Sequence, residues 1–207
     1  AATNTIWELE NSGCVIAFCT NVTEEHNVVA VPIKRATKND TKLIVIDPRE
    51  VELTRYAHLW LKPKPGTELI LLGGLIKSII DQELIQEEWV AENCEGSKEL
   101  LKRLQTLDLD NVASCSGVKK EEIEEAAKIY ATSEASSIIY ALDNIVDQLK
   151  MDCVFALTDM ALLTGNLGKP NTGLYPLSFG TNGQGAYDVG CKSDLLPGYH
   201  QVADDAD

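Results

Sequence analysis

Two strand-length runs, Cys14-Val-Ile-Ala-Phe-Cys19 and Lys42-Leu-Ile-Val-Ile-Asp47, are apolar throughout their interiors and constrain the fold more than anything else in the chain. A strand with one face in water alternates apolar and polar residues. A strand covered on both faces does not, and strands of that second kind belong to parallel sheets with helices on either side. Between the runs, Glu24 to Thr37 carries Val28, Val31 and Ile33 ahead of a basic Lys34-Arg35 end, the pattern of a crossover helix. A short helix capped by Asn4 or Thr5 runs through Glu10, and Gly13 breaks it before the first strand.

Arg49 to Tyr56 predicts a short helix, His58-Leu-Trp-Leu61 a third strand, and Thr67 the cap of a helix that runs to about Asp81. Leu84 to Glu92, Ser97 to Thr106 and Lys119 to Thr132 are amphipathic segments, the last introduced by a turn at Ser116-Gly117-Val118. Ser136-Ser-Ile-Ile-Tyr-Ala141 restores a strand, and Asp143 to Leu163 reads as one long helix. From Thr164 onward Gly and Pro recur and predict extended loop. The expected architecture is a three-layer α/β domain with a mainly parallel sheet flanked by helices.

The 207 residues include 44% hydrophobic and 24% charged side chains, a composition that can bury a core and is far from that of a disordered chain. The net charge of -14 disfavours nucleic acid, whose binding rests on Lys and Arg neutralising phosphates, and disfavours anionic membranes likewise. The longest apolar runs are too short to span a bilayer, so direct membrane insertion is not expected. Six scattered cysteines without a Cys-x-x-Cys pair, and only three histidines, speak against a zinc or iron-sulfur site and fit a cytoplasmic, reduced setting.

In open parallel sheets, ligands sit beyond the carboxyl ends of the strands. Three such ends offer polar groups: Thr20-Asn21, Asp47-Pro48-Arg49 and Asp143-Asn144. Asp47 stands where a carboxylate accepts from ribose hydroxyls, or where an Asp caps the following helix. Glu68 follows Pro65-Gly66-Thr67 at a helix start, favourably placed against the helix dipole. His26 reads as a solvated or locally bonded histidine. No nucleophile elbow, catalytic carboxylate pair or His-Glu-x-x-His stands in the chain, so no self-contained active site is expected.

Seven blocks in order resemble the large subunit of formate dehydrogenases that use molybdopterin guanine dinucleotide. They are Thr3-Asn4-Thr5-Ile6 with Leu9-Glu10, Thr20 to His26, Ile33 to Ala36, Lys42 to Arg49, Lys64 to Glu68, Ala161 to Pro170 and Gln184 to Gly190. The resemblance implies the Rossmann-like third domain of that family, over residues 1–180, with 181–207 as the extended start of an adjoining domain. It implies that Thr20, Asn21 and Glu24 lie along the dinucleotide. Ile46, Asp47, Pro48 and Arg49 would bracket ribose and guanine, Gly66 and Glu68 would recognise the guanine edge, and Asn182 and Gln184 would complete the cofactor contacts.

The resemblance further implies a molybdenum or tungsten cofactor in the full enzyme, absent from this chain when isolated. The expected partners are the remaining domains of the parent oxidoreductase and iron-sulfur electron-transfer subunits. Several positions depart from the family pattern. Ser178, Phe179 and Gly180 stand in register with an Arg-Gly-Gln stretch that meets formate in the family, so the substrate-clamping guanidinium is missing. Cys19 and Asp143 stand near family glycines that approach the cofactor, and Glu68 replaces the usual Asp. A second expectation, a structural subunit that keeps the fold without the cofactor, rests on these departures.

Overall fold

The computed structural model describes residues 2–178, 182–191 and 193–202, with only the backbone of Gln184. The chain divides into two compact units, Ala1–Leu177 and Ser178–Asp207. The first contains strands β1 (Cys14–Phe18), β2 (Lys42–Ile46), β3 (Leu59–Leu61), β4 (Ser136–Ala141) and β5 (Gly173–Leu177). Its helices are α1 (Val22–Glu25), α2 (Asn27–Ala36), α3 (Glu68–Asp81), α4 (Glu87–Asn93), α5 (Ser97–Leu104), α6 (Leu109–Ser116), α7 (Lys120–Thr132) and α8 (Asp147–Leu163). All five strands are parallel, in the order β3-β2-β1-β4-β5. This is a three-layer α/β domain, as the doubly apolar runs predict.

Alternation still operates inside those runs, between two interiors rather than between interior and water. Cys14, Ile16 and Phe18 of β1, with Ile44, Ile46, Ile138 and Tyr140, face the core roofed by α3, α7 and α8. Val15 and Ala17, with Leu43, Val45 and Ile139, face a smaller core closed by α2 and the 3-10 helices at Ile6–Asn11 and Glu52–Tyr56. Each fully buried aliphatic side chain contributes roughly 1.5–3 kcal/mol relative to exposure. Helix α3 carries Gly73 and Gly74 in its interior, where each costs about 1 kcal/mol against Ala. Gly74 has a packing reason: a Cβ there would meet Val112 Cγ1 of α6 at 2.6 Å.

Several boundaries differ from the sequence reading. The expected helix from Glu24 to Thr37 is split at His26, whose backbone (φ -141°, ψ 58°) leaves the helical region. The expected helix at Arg49 shrinks to Glu52–Tyr56, because the Asp47 side chain turns back on the Arg49 N–H. Helix α8 begins at Asp147, not Asp143, since a turn closed by the Ile145 N–H on the Leu142 carbonyl comes first. Helix α6 lay hidden ahead of Gly117, although Asp108 caps it through the Asp110 N–H and Gly117 (φ 77°) ends it in the left-handed region.

The larger correction is β5, which falls in the stretch expected to be loop. Pro176 is tolerated there because β5 is an edge strand with only β4 beside it. Gly173 (φ 114°) is required because the amino-terminal segment crosses it: an added Cβ would come within 2.2 Å of Thr3 Oγ1. The Thr3 N–H donates to the Leu174 carbonyl at 3.0 Å, and the Leu174 N–H donates to Thr3 Oγ1 at 2.9 Å. This strap occupies groups on an edge that would otherwise be open to pairing. The second unit, expected to be extended, contains the short helix α9 (Gly183–Asp188) and an antiparallel bridge between Leu195 and Gln201.

Glu8 locks the strap to the sheet. Its carboxylate accepts from Asn4 Nδ2, from the Asn171 N–H ahead of β5 and from the Thr5 N–H. These hydrogen bonds, Asn4's first, hold its pKa at about 2, down from an ordinary 4.5. The folded value lies below the unfolded one, so Glu8 contributes its full stability above pH 4.5 and loses it as pH falls through about 2. Thermal melts across that window are expected to show a shallower loss of midpoint for Glu8→Gln than for the parent. Parallel curves would show that Glu8 does not secure the strap.

Candidate functional site

Register sets the height at which each central strand releases its chain. Phe18 of β1 pairs level with Ile46 of β2 and with Tyr140 of β4, so Cys19, Asp47 and Ala141 come next at one edge of the sheet. Strand β4 lies on the opposite side of β1 from β2, and the connections run outward from there, which opens a crevice at this carboxyl edge. Thr20 and Asn21 border the crevice from β1, and the exposed Asp143-Asn144 turn borders it from β4.

Cys19 is the pivot. It is buried, sits at φ 49° and donates its backbone N–H to the Ile46 carbonyl at 2.8 Å. Burial first, then the Asp47 and Glu68 carboxylates, push its thiol well above the ordinary cysteine range, so it stays protonated and is neither a nucleophile nor a ready metal ligand. The same electrostatics link Asp47 and Glu68 to one buried sulfur, although 21 positions separate them in sequence (68 minus 47). Cys153 on α8 feels Glu68 as well, so β1, β2, α3 and α8 converge here.

The candidate residues differ in what they have left to offer. Thr20 is buried, and its Oγ1 has no hydrogen-bond partner among the described residues. Glu68 is only 3% exposed at the start of α3, and no hydrogen-bond donor or cation pairs with its carboxylate among the described residues. The buried Thr20 hydroxyl is desolvated without compensation, an arrangement that costs free energy in the absence of a ligand. Asp47, by contrast, is engaged: its carboxylate accepts from Arg49 Nε at 3.0 Å, Arg49 Nη2 at 3.0 Å and the Arg49 N–H at 2.8 Å. Its carbonyl accepts from Trp60 Nε1 at 2.9 Å.

The Asp47 side chain is 1% exposed and that of Arg49 43%, so the pair presents a guanidinium outward. Hydrogen bonding to Asp47 raises the Arg49 pKa further. Asp47 closes a turn, and its carboxylate retains acceptor capacity. Ile46 sends its side chain into the large core and its carbonyl to Cys19, and Pro48 is half-buried. Glu24 is exposed on α1. Gly66 (φ 86°) is exposed, with nothing within 4 Å of an added Cβ, so a planar group can lie against its backbone.

His26 departs from expectation: its Nε2 is buried and unpartnered among the described residues rather than solvated or locally bonded. Sequence reasoning had no signal for it, since burial of one ring nitrogen depends on the break between α1 and α2. Asn182 (φ 63°) caps α9 at its start in the second unit, and the Gln184 backbone lies within that helix. Phe179 and Gly180 lie outside the described residues. Among the described residues no group of three or more His, Cys, Asp or Glu stands ready for a metal ion, and no helix is long and apolar enough to cross a membrane.

The fold and its polar carboxyl edge define a doubly wound α/β domain. Comparison with known proteins adds the lineage. The molybdopterin oxidoreductase family model matches residues 1–201. The F420-dependent formate dehydrogenase 1 subunit alpha of Methanococcus maripaludis is 35% identical over 202 residues, which cover 98% of this chain and 30% of that protein. The assimilatory nitrate reductase catalytic subunit of Bacillus subtilis is 35% identical over 201 residues, 97% of this chain and 28% of that protein. Acetylene hydratase from Pelobacter acetylenicus superposes with a TM-score of 0.71 at 28% identity, over 79% of this chain and 24% of that one. The chain belongs to the molybdopterin oxidoreductase family, and it spans between 20% and 30% of the length of the curated relatives it matches.

The Asp47–Arg49 fork can be tested without any ligand. Arg49→Ala is expected to destabilise the chain by about 2 kcal/mol, because the Asp47 carboxylate keeps only its backbone donor. Arg49→Lys is expected to recover less than half of that, since an ammonium cannot make two parallel bonds to a carboxylate. Denaturant melts check both, and full rescue by Lys would show that charge alone, not the fork, matters.

Proposed function

We propose that this chain is the cofactor-holding α/β domain of a formate dehydrogenase-like oxidoreductase, and that its carboxyl edge receives the guanosine half of a molybdopterin guanine dinucleotide. The observation that carries the reading is the buried, unpartnered Thr20 Oγ1 at that edge, with the Glu68 carboxylate close enough to act on the neighbouring Cys19 thiol. The donor set suits the group. A carboxylate accepts from guanine N1–H and N2–H, and the Arg49 guanidinium with the Thr20 hydroxyl suits ribose and phosphate oxygens. Gly66 lets the base approach the backbone.

When bound, the cofactor supplies the molybdenum or tungsten at which two-electron oxidation or reduction takes place. This chain's share is to hold and orient it: Thr20 and Asn21 beside the phosphates with Glu24 at the rim, and the Ile46 to Arg49 segment beside the ribose. Gly66 and Glu68 would read the base. As a domain of a longer chain that docks with other domains and with iron-sulfur electron-transfer subunits, it would be inactive alone. Six free cysteines fit a reducing, cytoplasmic setting. The substrate is open, because relatives that match at equal identity are a formate dehydrogenase and a nitrate reductase.

A second reading, a scaffold subunit that keeps the fold and binds no cofactor, is favoured by Cys19, whose side chain fills the pivot of the edge at φ 49°. Titration calorimetry separates the two. GDP is expected to bind in preference to ADP. Glu68→Ala is expected to weaken GDP about tenfold or more and to abolish the preference, the effect of losing a charge-assisted hydrogen-bond pair. Thr20→Val is expected to weaken both nucleotides while raising the thermal midpoint of the free chain. No binding of either nucleotide, or a Glu68→Ala variant indistinguishable from the parent, would favour the scaffold.

A further inference from the structure

Trp60 donates its indole N–H to the Asp47 carbonyl at 2.9 Å, and among the described residues no other donor reaches that oxygen. The bond runs from β3 to the residue that follows β2, where the ladder has already ended: Val45 pairs with Trp60, Ile46 with Leu61, and Asp47 lies beyond. The turn at Asp47 cannot draw a donor from its next residue, because Pro48 has no N–H. A half-buried indole ordinarily finds a partner for its N–H, and here the partner is the backbone of the segment that carries Arg49. The ring is held in turn by the small core beneath it and by the Lys62 ammonium, 5.1 Å from its centroid.

The guanidinium at the far end of this chain of contacts has two forks, and they are used differently. Its side-on fork, the Nε–H with one Nη2–H, is spent on the Asp47 carboxylate. Its end-on fork, one N–H from each Nη, meets no acceptor among the described residues. Two parallel N–H groups are the geometry that takes an oxyanion bidentately. Where the free fork points is set by the Asp47 carboxylate, and the carboxylate is only as fixed as the backbone beneath it. That backbone has two holds: the Asp47 N–H on the Leu61 carbonyl at 3.3 Å, and the indole bond at 2.9 Å. The first is long for an amide hydrogen bond, so the second is the firmer one.

We propose that Trp60 is a positioning residue of the carboxyl-edge site. By fixing the Asp47 carbonyl it aims the free fork of Arg49, and it thereby sets how tightly the ribose-phosphate part of a nucleotide is held, without reading the base. This role rests on the cofactor reading above and extends it to a residue of an edge strand that acts through Asp47 and Arg49. It divides recognition in two: Glu68 discriminates between bases, and the Trp60–Asp47–Arg49 chain holds what all nucleotides share.

Two measurements on the 207-residue chain test this. Proton exchange at the arginine Nε–H groups, read by NMR without ligand, reports on the fork directly; the chain has four arginines, and Arg49→Lys identifies the signal. Trp60→Phe is expected to speed exchange at Arg49 about fivefold, the effect of one lost hydrogen bond, with Arg103 and the amides of β1 unchanged. Incorporating 3-benzothienylalanine at position 60 keeps the bicyclic ring and removes only the N–H, so it should match Trp60→Phe even where the smaller ring loosens the core. In calorimetry Trp60→Phe is expected to weaken GDP and ADP alike, about fivefold, to keep their ratio, and to add nothing in an Arg49→Ala background. Unchanged exchange at Arg49, a changed ratio, or equal weakening with and without the Arg49 side chain would overturn the role of Trp60. Binding of neither nucleotide by a parent whose Arg49 exchange still responds to Trp60→Phe would instead overturn the cofactor reading, and the effect on affinity with it, while the hold of Trp60 on the fork would stand.

Discussion

Strand β1 occupies the centre of the sheet, with hydrogen-bonded neighbours on both sides and a separate core against each face. From Cys14 to Phe18 every side chain is buried and none carries a charge, so chemistry is pushed past the end of the strand. The first polar side chain to appear is Thr20, after a residue whose left-handed backbone turns the chain out of the sheet. Parallel register brings Asp47 out beside it. What this domain can bind is thus set by where buried strands stop.

Two carboxylates at that edge illustrate how environment divides labour. Asp47 is engaged by a neighbour two residues away, which fixes the turn and projects a cation. Glu68 reaches the edge from the opposite direction, at the beginning of α3, with no partner of its own. It is left with acceptor capacity that the folded chain does not use. The Cys19 thiol, held protonated between them, contributes bulk rather than reactivity.

Much of this was legible from residue order. Unbroken apolar runs disclosed the parallel sheet, and strand-end logic singled out Thr20, Asp47 and Arg49 before their surroundings were known. The failures have a common origin. Gly173 and Pro176 read as loop because their local chemistry disfavours strands, while the reasons they are accepted, a crossing Thr3 and an outer edge, are tertiary. The unpaired state of Thr20, Glu68 and His26 Nε2 was equally invisible, since satisfaction of a polar atom depends on groups distant in sequence. Helix α6 is the exception: Asp108 and Gly117 signalled both its ends.

The contact between Thr3 and Leu174 joins positions 171 residues apart. During synthesis Thr3 emerges 171 residues ahead of Leu174 and finds nothing to fasten to until the strand it crosses has been made. Closure of this domain is accordingly a late, non-local event that bears the full entropic cost of a long loop. Until the ribosome delivers Gly173, the outer side of β4 lies bare, and that interval is when the nascent chain most needs shielding from its neighbours.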